Sequence, residues 1–184
     1  MAKTLLIGGN SAIASALREN SDREFISLSR SEGTLNLDGD LNELDSIADI
    51  KGLVYFPGTI NLKPFAMLKE EDFVNDFSVN VLGAVKVLKK VINQLKEADG
   101  ASVVFISSVA ANLGLPYHAS ISAAKSALEG MSKALEERID KLGAVGCKGF
   151  DWIEWDSLIE DKAALIVQLS LHKDIVKRVL SRYD

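Results

Sequence analysis

Short apolar runs alternate with stretches of helical periodicity from residue 4 onward, and this alternation restricts the fold more than any single motif. Thr4 to Ile7 enters Gly8-Gly9-Asn10-Ser11, after which Ala12, Ile13, Ala16 and Leu17 recur at helical spacing, so the chain opens as strand, tight turn and helix. Phe25 to Leu28 and Thr34 to Leu37 read as second and third strands, Leu41 to Ile50 as a short helix, and Gly52 to Phe56 as a fourth strand that Pro57-Gly58 breaks. Glu70 to Leu95 is a long amphipathic helix with Phe73, Phe77, Val81, Val85 and Leu88 on one stripe. Ala101 to Ile106 is the next buried strand, and Ser122 to Leu142 is again helical. Right-handed crossovers place such helices on both faces of a parallel sheet. The expected fold class is α/β: a doubly wound parallel sheet, incomplete at its C-terminal edge, with a terminal helix.

The character changes near Leu142. Gly143, Gly146 and Gly149 mark a loop. Beyond it Ser157-Leu158-Ile159-Glu160 has capping-box spacing, with apolar Leu158, Leu165, Leu169, Val176 and Leu180 following. Acidic residues at the start of this segment and Lys173, Lys177, Arg178 and Arg182 at its end complement a helix macrodipole. Residues 1–142 therefore read as one α/β domain, and residues 143–184 as a helical extension packed on that domain or on a partner subunit. Trp152 and Trp155 are anchors for it.

Composition bounds the function. A net charge of −5 without clustered Lys and Arg argues against a nucleic-acid surface. No apolar run approaches the length that spans a bilayer, and the one cysteine, Cys147, fits a reducing compartment, so a soluble cytoplasmic protein without membrane partners is expected. No metal-ligand pattern is present, and no metal site is expected.

The first turn is the candidate binding element. A strand handing over to a helix aims backbone N–H groups and the positive helix end at whatever lies at its mouth, a place that suits a pyrophosphate. Gly8, Asn10, Ser11, Ala12 and Ile13 are its candidate contacts, with Ala14 following. Arg30 follows the second strand in Ser27-Leu28-Ser29-Arg30, where its planar fork can pair with a phosphate.

A second pattern carries the chemistry. Ser108 is followed after twelve residues by Ile121 and after three more by Lys125, within Ser107-Ser108-Val109 and Tyr117-His118-Ala119-Ser120-Ile121-Ser122-Ala123-Ala124-Lys125. This segment resembles the active-site segment of the short-chain dehydrogenase/reductase family, in which Ser, Tyr and Lys stand at these intervals. The resemblance runs from about Lys3 to Leu142 and implies that residues 1–142 form a Rossmann-like dinucleotide-binding domain. It also matches Asn80, in Ser78-Val79-Asn80-Val81-Leu82-Gly83, to the family's helix asparagine. Gly58, in Tyr55-Phe56-Pro57-Gly58, is all that is retained of the family's Asn-Asn-Ala-Gly. Ala12 and Ala14 replace two of the family's three turn glycines, and Asp38 resembles the acidic residue beside the adenine, with Asp40 the lesser candidate.

What the resemblance implies is hydride transfer between a nicotinamide and a small carbonyl or alcohol substrate. Lys125 would hold the ribose, Ser108 would polarise the carbonyl, and Asn80 would support a water relay. Arg30, with uncharged Ser29 before it, favours NADP over NAD. Ile121 stands where the family has its proton-donating Tyr, and it has no titratable proton. Tyr117, four residues earlier, is the nearest replacement, with His118, Lys125 itself or a bound water as alternatives. The family's sixth strand, Pro-Gly turn, lid and seventh strand find no counterpart after Leu142, where no proline occurs. Family members pair through two long helices, so a homodimer or homotetramer is expected. Two other readings stay open. One is a catalytically inactive dinucleotide-binding or oligomerisation module on the same scaffold. The other is a protein that binds no nucleotide because Ala12 and Ala14 close the turn.

Overall fold

The computed structural model describes residues 3–99, 101–136 and 143–146. The first strand, β1 (Lys3–Ile7), leads through the glycine turn into α1 (Ala12–Glu19) and then β2 (Glu24–Leu28). A 3-10 turn at Asn42–Leu44 precedes β3 (Ile50–Tyr55). Helix α2 (Glu70–Phe77), a π-turn (Ser78–Leu82) and α3 (Gly83–Glu97) form one continuous helical path to β4 (Ser102–Phe105). Helix α4 (Ala119–Glu136) and β5 (Gly143–Gly146) complete the described elements.

All strand pairs are parallel, in the order β2-β1-β3-β4-β5. Ile7 is level with Leu28 on one side and Tyr55 on the other, and Tyr55 is level with Phe105. The doubly wound α/β expectation is met. The strand order reverses between β1 and β3, the place where open sheets of this kind bind ligands outside the strands' carboxyl ends.

Alternation along the strands divides the core. Leu5, Ile7, Leu53, Tyr55, Val103 and Phe105 share one cluster with Val87, Val91 and Leu95 of α3 and Leu128 of α4. Leu6 and Val54 face the other way and meet Ala14 of α1, with Leu17, Phe25, Val104 and Ile106 beside them. Period-2 alternation puts neighbouring residues of a strand on opposite faces, so both faces need apolar residues in a sheet covered by helices.

Three segments differ from the sequence reading. Thr34 to Leu37 forms no strand. Thr34 is folded back on Ser29, its N–H donating to the Ser29 carbonyl at 3.1 Å, through a turn in which Gly33 takes φ 68°. Leu35 is buried and Leu37 half-buried in the main core, so their alternation serves burial without a ladder. Only Asn42–Leu44 is helical within Leu41 to Ile50, because Leu41 and Asp49 adopt left-handed backbone at φ 55° and 64° and bound the segment. The expected loop at Gly143 to Gly146 is instead β5, with Gly143 level with Ser102 and Gly146 with Phe105. The chain thus does place a strand after α4, where none was expected. The helix expected from Ser157 onward, with Trp152, Trp155 and Cys147, lies outside the described residues.

Leu53 is 1 % exposed at the centre of the sheet. Leu53→Ala should lower unfolding free energy by about 2–5 kcal/mol in urea titration, with the spread set by how far the cavity collapses.

Candidate active site

The loops after β1 and β3 meet at the switch point. Gly8 has φ 75°, and a Cβ built on it would lie 3.1 Å from Pro57 Cδ. A Cβ on Gly9 would collide with the Ser27 hydroxyl of β2, so only glycine lets the turn approach that strand. Gly8 and Gly9 both donate to the Leu28 carbonyl, at 2.8 and 3.2 Å. Ser11 caps α1, its hydroxyl accepting from Ala14 N–H at 3.1 Å. The N–H groups of Ala12 and Ile13, in the first helical turn, have no intrahelical acceptor. Ala14 is fully buried against Leu6 and Val54, while Ala12 is exposed and Ile13 half-buried. The turn is therefore a cradle that fits a diphosphate, with the Ala14 methyl used for packing against the sheet.

Asn10 ties this turn to the loop after β2, its amide donating to Ser31 Oγ at 3.1 Å. Arg30 is exposed there. Ser29 is buried, and its hydroxyl meets the Glu32 carboxylate at 3.2 Å and the Ser31 hydroxyl at 3.3 Å. Asp38 is exposed, with its N–H donating to Asn36 Oδ1 at 3.1 Å. The sequence reading missed Glu32, a carboxylate in the same turn as Arg30. It also missed Arg18, whose guanidinium donates to Ser27 Oγ at 3.1 Å and Ser15 Oγ at 3.3 Å beside the glycine turn.

Gly58 marks where Asn80 and Lys125 come together. A Cβ on Gly58 would lie 3.1 Å from Asn80 Oδ1 and 3.5 Å from Lys125 Nζ. Both side chains are buried, although Gly58 itself is exposed. The Lys125 ammonium donates to the Ile106 carbonyl at 2.6 Å, which fixes it near the end of β4. Ser108 caps the short turn Val109–Ala111, its hydroxyl oxygen accepting from Ala110 N–H at 3.2 Å. Its neighbour Ser107 donates to Glu129 Oε1 at 2.5 Å, and Asn112 donates to both oxygens of that carboxylate at 3.3 and 3.2 Å. Glu129 thereby pins both ends of the Ser108 turn to α4.

Asn80 owes its place to a widened helix. Within Ser78–Leu82 the Gly83 N–H donates to the Ser78 carbonyl, five residues back. The Tyr55 hydroxyl donates to the Val79 carbonyl at 2.6 Å inside this turn, and a Cβ on Gly83 would collide with that hydroxyl. Burial raises the Tyr55 pKa far above its ordinary value, so the phenol stays a donor. Nearby, the Lys63 ammonium donates to both Asp72 oxygens at 2.8 and 3.0 Å, tying the loop after Gly58 to α2. That hydrogen bond and the Lys69 N–H lower the Asp72 pKa, so this tie is present at neutral pH and is lost in acid.

Residues 42–147 match the family model described as short chain dehydrogenase, more than half of the chain. The chain belongs to the short-chain dehydrogenase family. It is 26% identical over 102 residues to 17-beta-hydroxysteroid dehydrogenase 13 of Homo sapiens, a match covering 55% of this chain and 34% of the relative. With 3-ketodihydrosphingosine reductase of Mus musculus it shares 32% identity over 95 residues, 52% of this chain and 29% of the relative. The chain thus spans about a third of the length of these curated relatives. In fold it is similar to a Listeria innocua protein, at TM-score 0.71 and 20% identity over 92% of this chain and 94% of that one. A small-chain dehydrogenase in complex with NADPH gives TM-score 0.71 at 16% identity, over 93% and 91% of the two chains.

In this member of the family Ile121 is a core residue, 3 % exposed at the start of α4. Tyr117, one turn earlier, is 59 % exposed, with left-handed backbone at φ 67° and its carbonyl accepting from Lys63 N–H at 3.3 Å. A bulky residue in that conformation is strained. His118 is half-buried with Nδ1 2.6 Å from the Pro116 carbonyl.

Tyr55→Phe should cost about 1–3 kcal/mol of stability at neutral pH, because it removes a donor from the part-buried Val79 carbonyl. The raised pKa fixes the sign of the pH dependence. An unfolded tyrosine ionises near pH 10, so the Tyr55 contribution is present below about pH 10 and is lost as pH rises beyond it. Urea titrations from pH 8 to about 11 should show the difference between wild type and Tyr55→Phe shrinking at the alkaline end.

Proposed function

We propose that this chain is an oxidoreductase that carries out NADP(H)-linked hydride transfer to or from a small carbonyl or alcohol. The observation that carries this reading is the convergence of Asn80 Oδ1 and Lys125 Nζ beside Gly58, on the same sheet edge as the glycine turn. When bound, the nicotinamide dinucleotide supplies or accepts the hydride. The residues of the chain bind and orient. Gly8, Asn10, Ser11, Ala12, Ile13 and Gly58 line the nucleotide's path, with Asp38 toward the adenine end. The Lys125 ammonium holds the ribose and favours negative charge on a reacting oxygen. Ser108 Oγ already accepts a hydrogen bond from Ala110, so its own proton is available to a carbonyl oxygen.

Tyr117 is proposed as the proton partner in place of Ile121. Its exposed phenol and strained backbone at the entrance to α4 support that role. Arg30 supports NADP over NAD through its exposed guanidinium beside uncharged Ser29. The reductase named among the relatives supports a carbonyl substrate. Exposed Phe65, Met67, Val74, Phe77 and Leu82 on and before the α2–α3 path support a homodimer or homotetramer. The absence of a helix long and apolar enough to cross a membrane, among the described residues, supports a soluble cytoplasmic protein. A second reading, an inactive dinucleotide-binding or oligomerisation module, rests on Ile121, which supplies hydrocarbon where a proton donor is needed.

Fluorescence titration should show NADPH binding more tightly than NADH. Arg30→Ala should weaken NADPH about tenfold or more and leave NADH nearly unchanged, as expected for loss of one charge-assisted hydrogen bond. Failure of both nucleotides to bind at millimolar concentration ends this reading. With a ketone substrate, Tyr117→Phe should lower turnover by about 10²–10⁴ while binding persists. Unchanged turnover moves proton transfer to Lys125, and bound nucleotide without any turnover favours the inactive module.

A further inference from the structure

The orientation of the Asn80 amide is set from behind the cleft. Its Nδ2 donates to the Asp76 carbonyl at 2.8 Å and to Thr59 Oγ1 at 3.2 Å. Thr59 has a single hydroxyl proton, and it is committed to Asp76 Oδ1 at 2.5 Å. Asn61 Nδ2 donates to that same oxygen at 2.9 Å. A carboxylate oxygen only accepts, so Thr59 must donate to it and is left as an acceptor on its other side. The Asp76 main-chain carbonyl and the Thr59 oxygen are both acceptors, so an NH2 group can face them and a carbonyl oxygen cannot. Asn80 Oδ1 is therefore turned toward Gly58, where it is buried without a hydrogen-bond partner, and a Cβ on Gly58 would lie 3.1 Å from it and 3.5 Å from the Lys125 ammonium.

We propose that Asp76 is a positioning residue that acts through Thr59 to make Asn80 present an acceptor, and not a donor, to the cleft. Asp76 is fully buried one helical turn before Asn80, and its second oxygen has no hydrogen-bond partner. Packing alone gives no reason for a carboxyl group there, since burying one without full pairing is costly. A fixed Asn80 orientation does. The inference rests on the proposed active site for its importance to turnover, but its geometric content stands without any nucleotide.

The test is hydrogen exchange of the Asn80 side-chain amide, followed by 15N NMR on the full chain, with its signal assigned by its disappearance in Asn80→Asp. Wild type should exchange slowly. Thr59→Ser and Asp76→Asn, which keep the hydroxyl and an acceptor oxygen, should stay slow. Thr59→Val and Asp76→Leu should each exchange about tenfold faster or more, the change expected for loss of one buried hydrogen bond. Thermal unfolding separates a released amide from an unfolded chain, and Thr59→Val serves if Asp76→Leu does not fold. In the loaded enzyme Thr59→Val should lower kcat about tenfold with the KM for nucleotide unchanged, a split that general destabilisation does not give. Unchanged amide exchange in folded Thr59→Val overturns the proposal. Faster exchange in a chain that binds no nucleotide upholds the positioning and overturns only the proposed function.

Discussion

Parallel pairing sends every strand of this sheet out along one edge, so the loops after β1, β3 and β4 must converge. The rest of the site depends on that convergence. The Gly8-Gly9 turn, the Pro57-Gly58 turn and the Ser107-Ser108 turn leave strands that are level with one another, as the pairs Ile7–Tyr55 and Tyr55–Phe105 record. Residues far apart in the chain then share one surface without long loops to carry them. Close approach is the cost, and it falls where the chain has glycine: a methyl on Gly9 would meet β2, and one on Gly58 would enter the space beside Asn80 and Lys125.

Polar groups buried at this edge are bonded in sequence, each constraining the next. Tyr55 leaves β3, crosses to the helical path and donates to Val79 within the π-turn. One turn earlier, Asp76 collects protons from Thr59 and Asn61, both on the loop that follows Gly58. Glu129 does the corresponding work on the other side, joining α4 to Ser107 and Asn112 around the Ser108 turn. A buried acceptor left unsatisfied costs about 1–3 kcal/mol, so each of these bonds restricts where its loop can go. Among the described residues, buried atoms without a partner remain at Asp76 Oδ2, Asn80 Oδ1, Ser120 Oγ and Ser132 Oγ, and Asn80 Oδ1 faces Gly58.

Periodicity made the main strands and helices legible, because β1, β3 and β4 alternate between two covered faces and α3 turns one apolar stripe to the sheet. It misread Thr34 to Leu37, where two alternating leucines satisfy burial although turns at both ends take the backbone bonds. It also misread Gly143 to Gly146, since a strand containing two glycines carries no hydrophobic signal and its pairing comes from β4. Spacing, read through the family resemblance, singled out Asn80, Ser108 and Lys125. Thr59, Asp76 and Glu129 were not legible, because their meaning lies in bonds across 15 or more residues that no local pattern encodes. The π-turn was invisible for the same reason: its sequence continues the amphipathic stripe, and Tyr55 and Gly83 acquire their roles only when β3 and the helix are side by side.

Ile121 gathers these constraints at one residue. It is buried, so the start of α4 is held by hydrocarbon packing where the family has a phenol. That substitution removes a proton donor, but it leaves Lys125 one turn later with its ammonium on the Ile106 carbonyl and its head toward Gly58. Desolvating a cation is costly unless acceptors surround it, and the Ile106 carbonyl at 2.6 Å is one such acceptor. Asn80 Oδ1 faces the same space beside Gly58, while the amide nitrogen of Asn80 is held by Thr59 and the Asp76 carbonyl. The space beside Gly58 therefore keeps a charged group and the bond that holds it in place, although hydrocarbon stands where the family has its phenol.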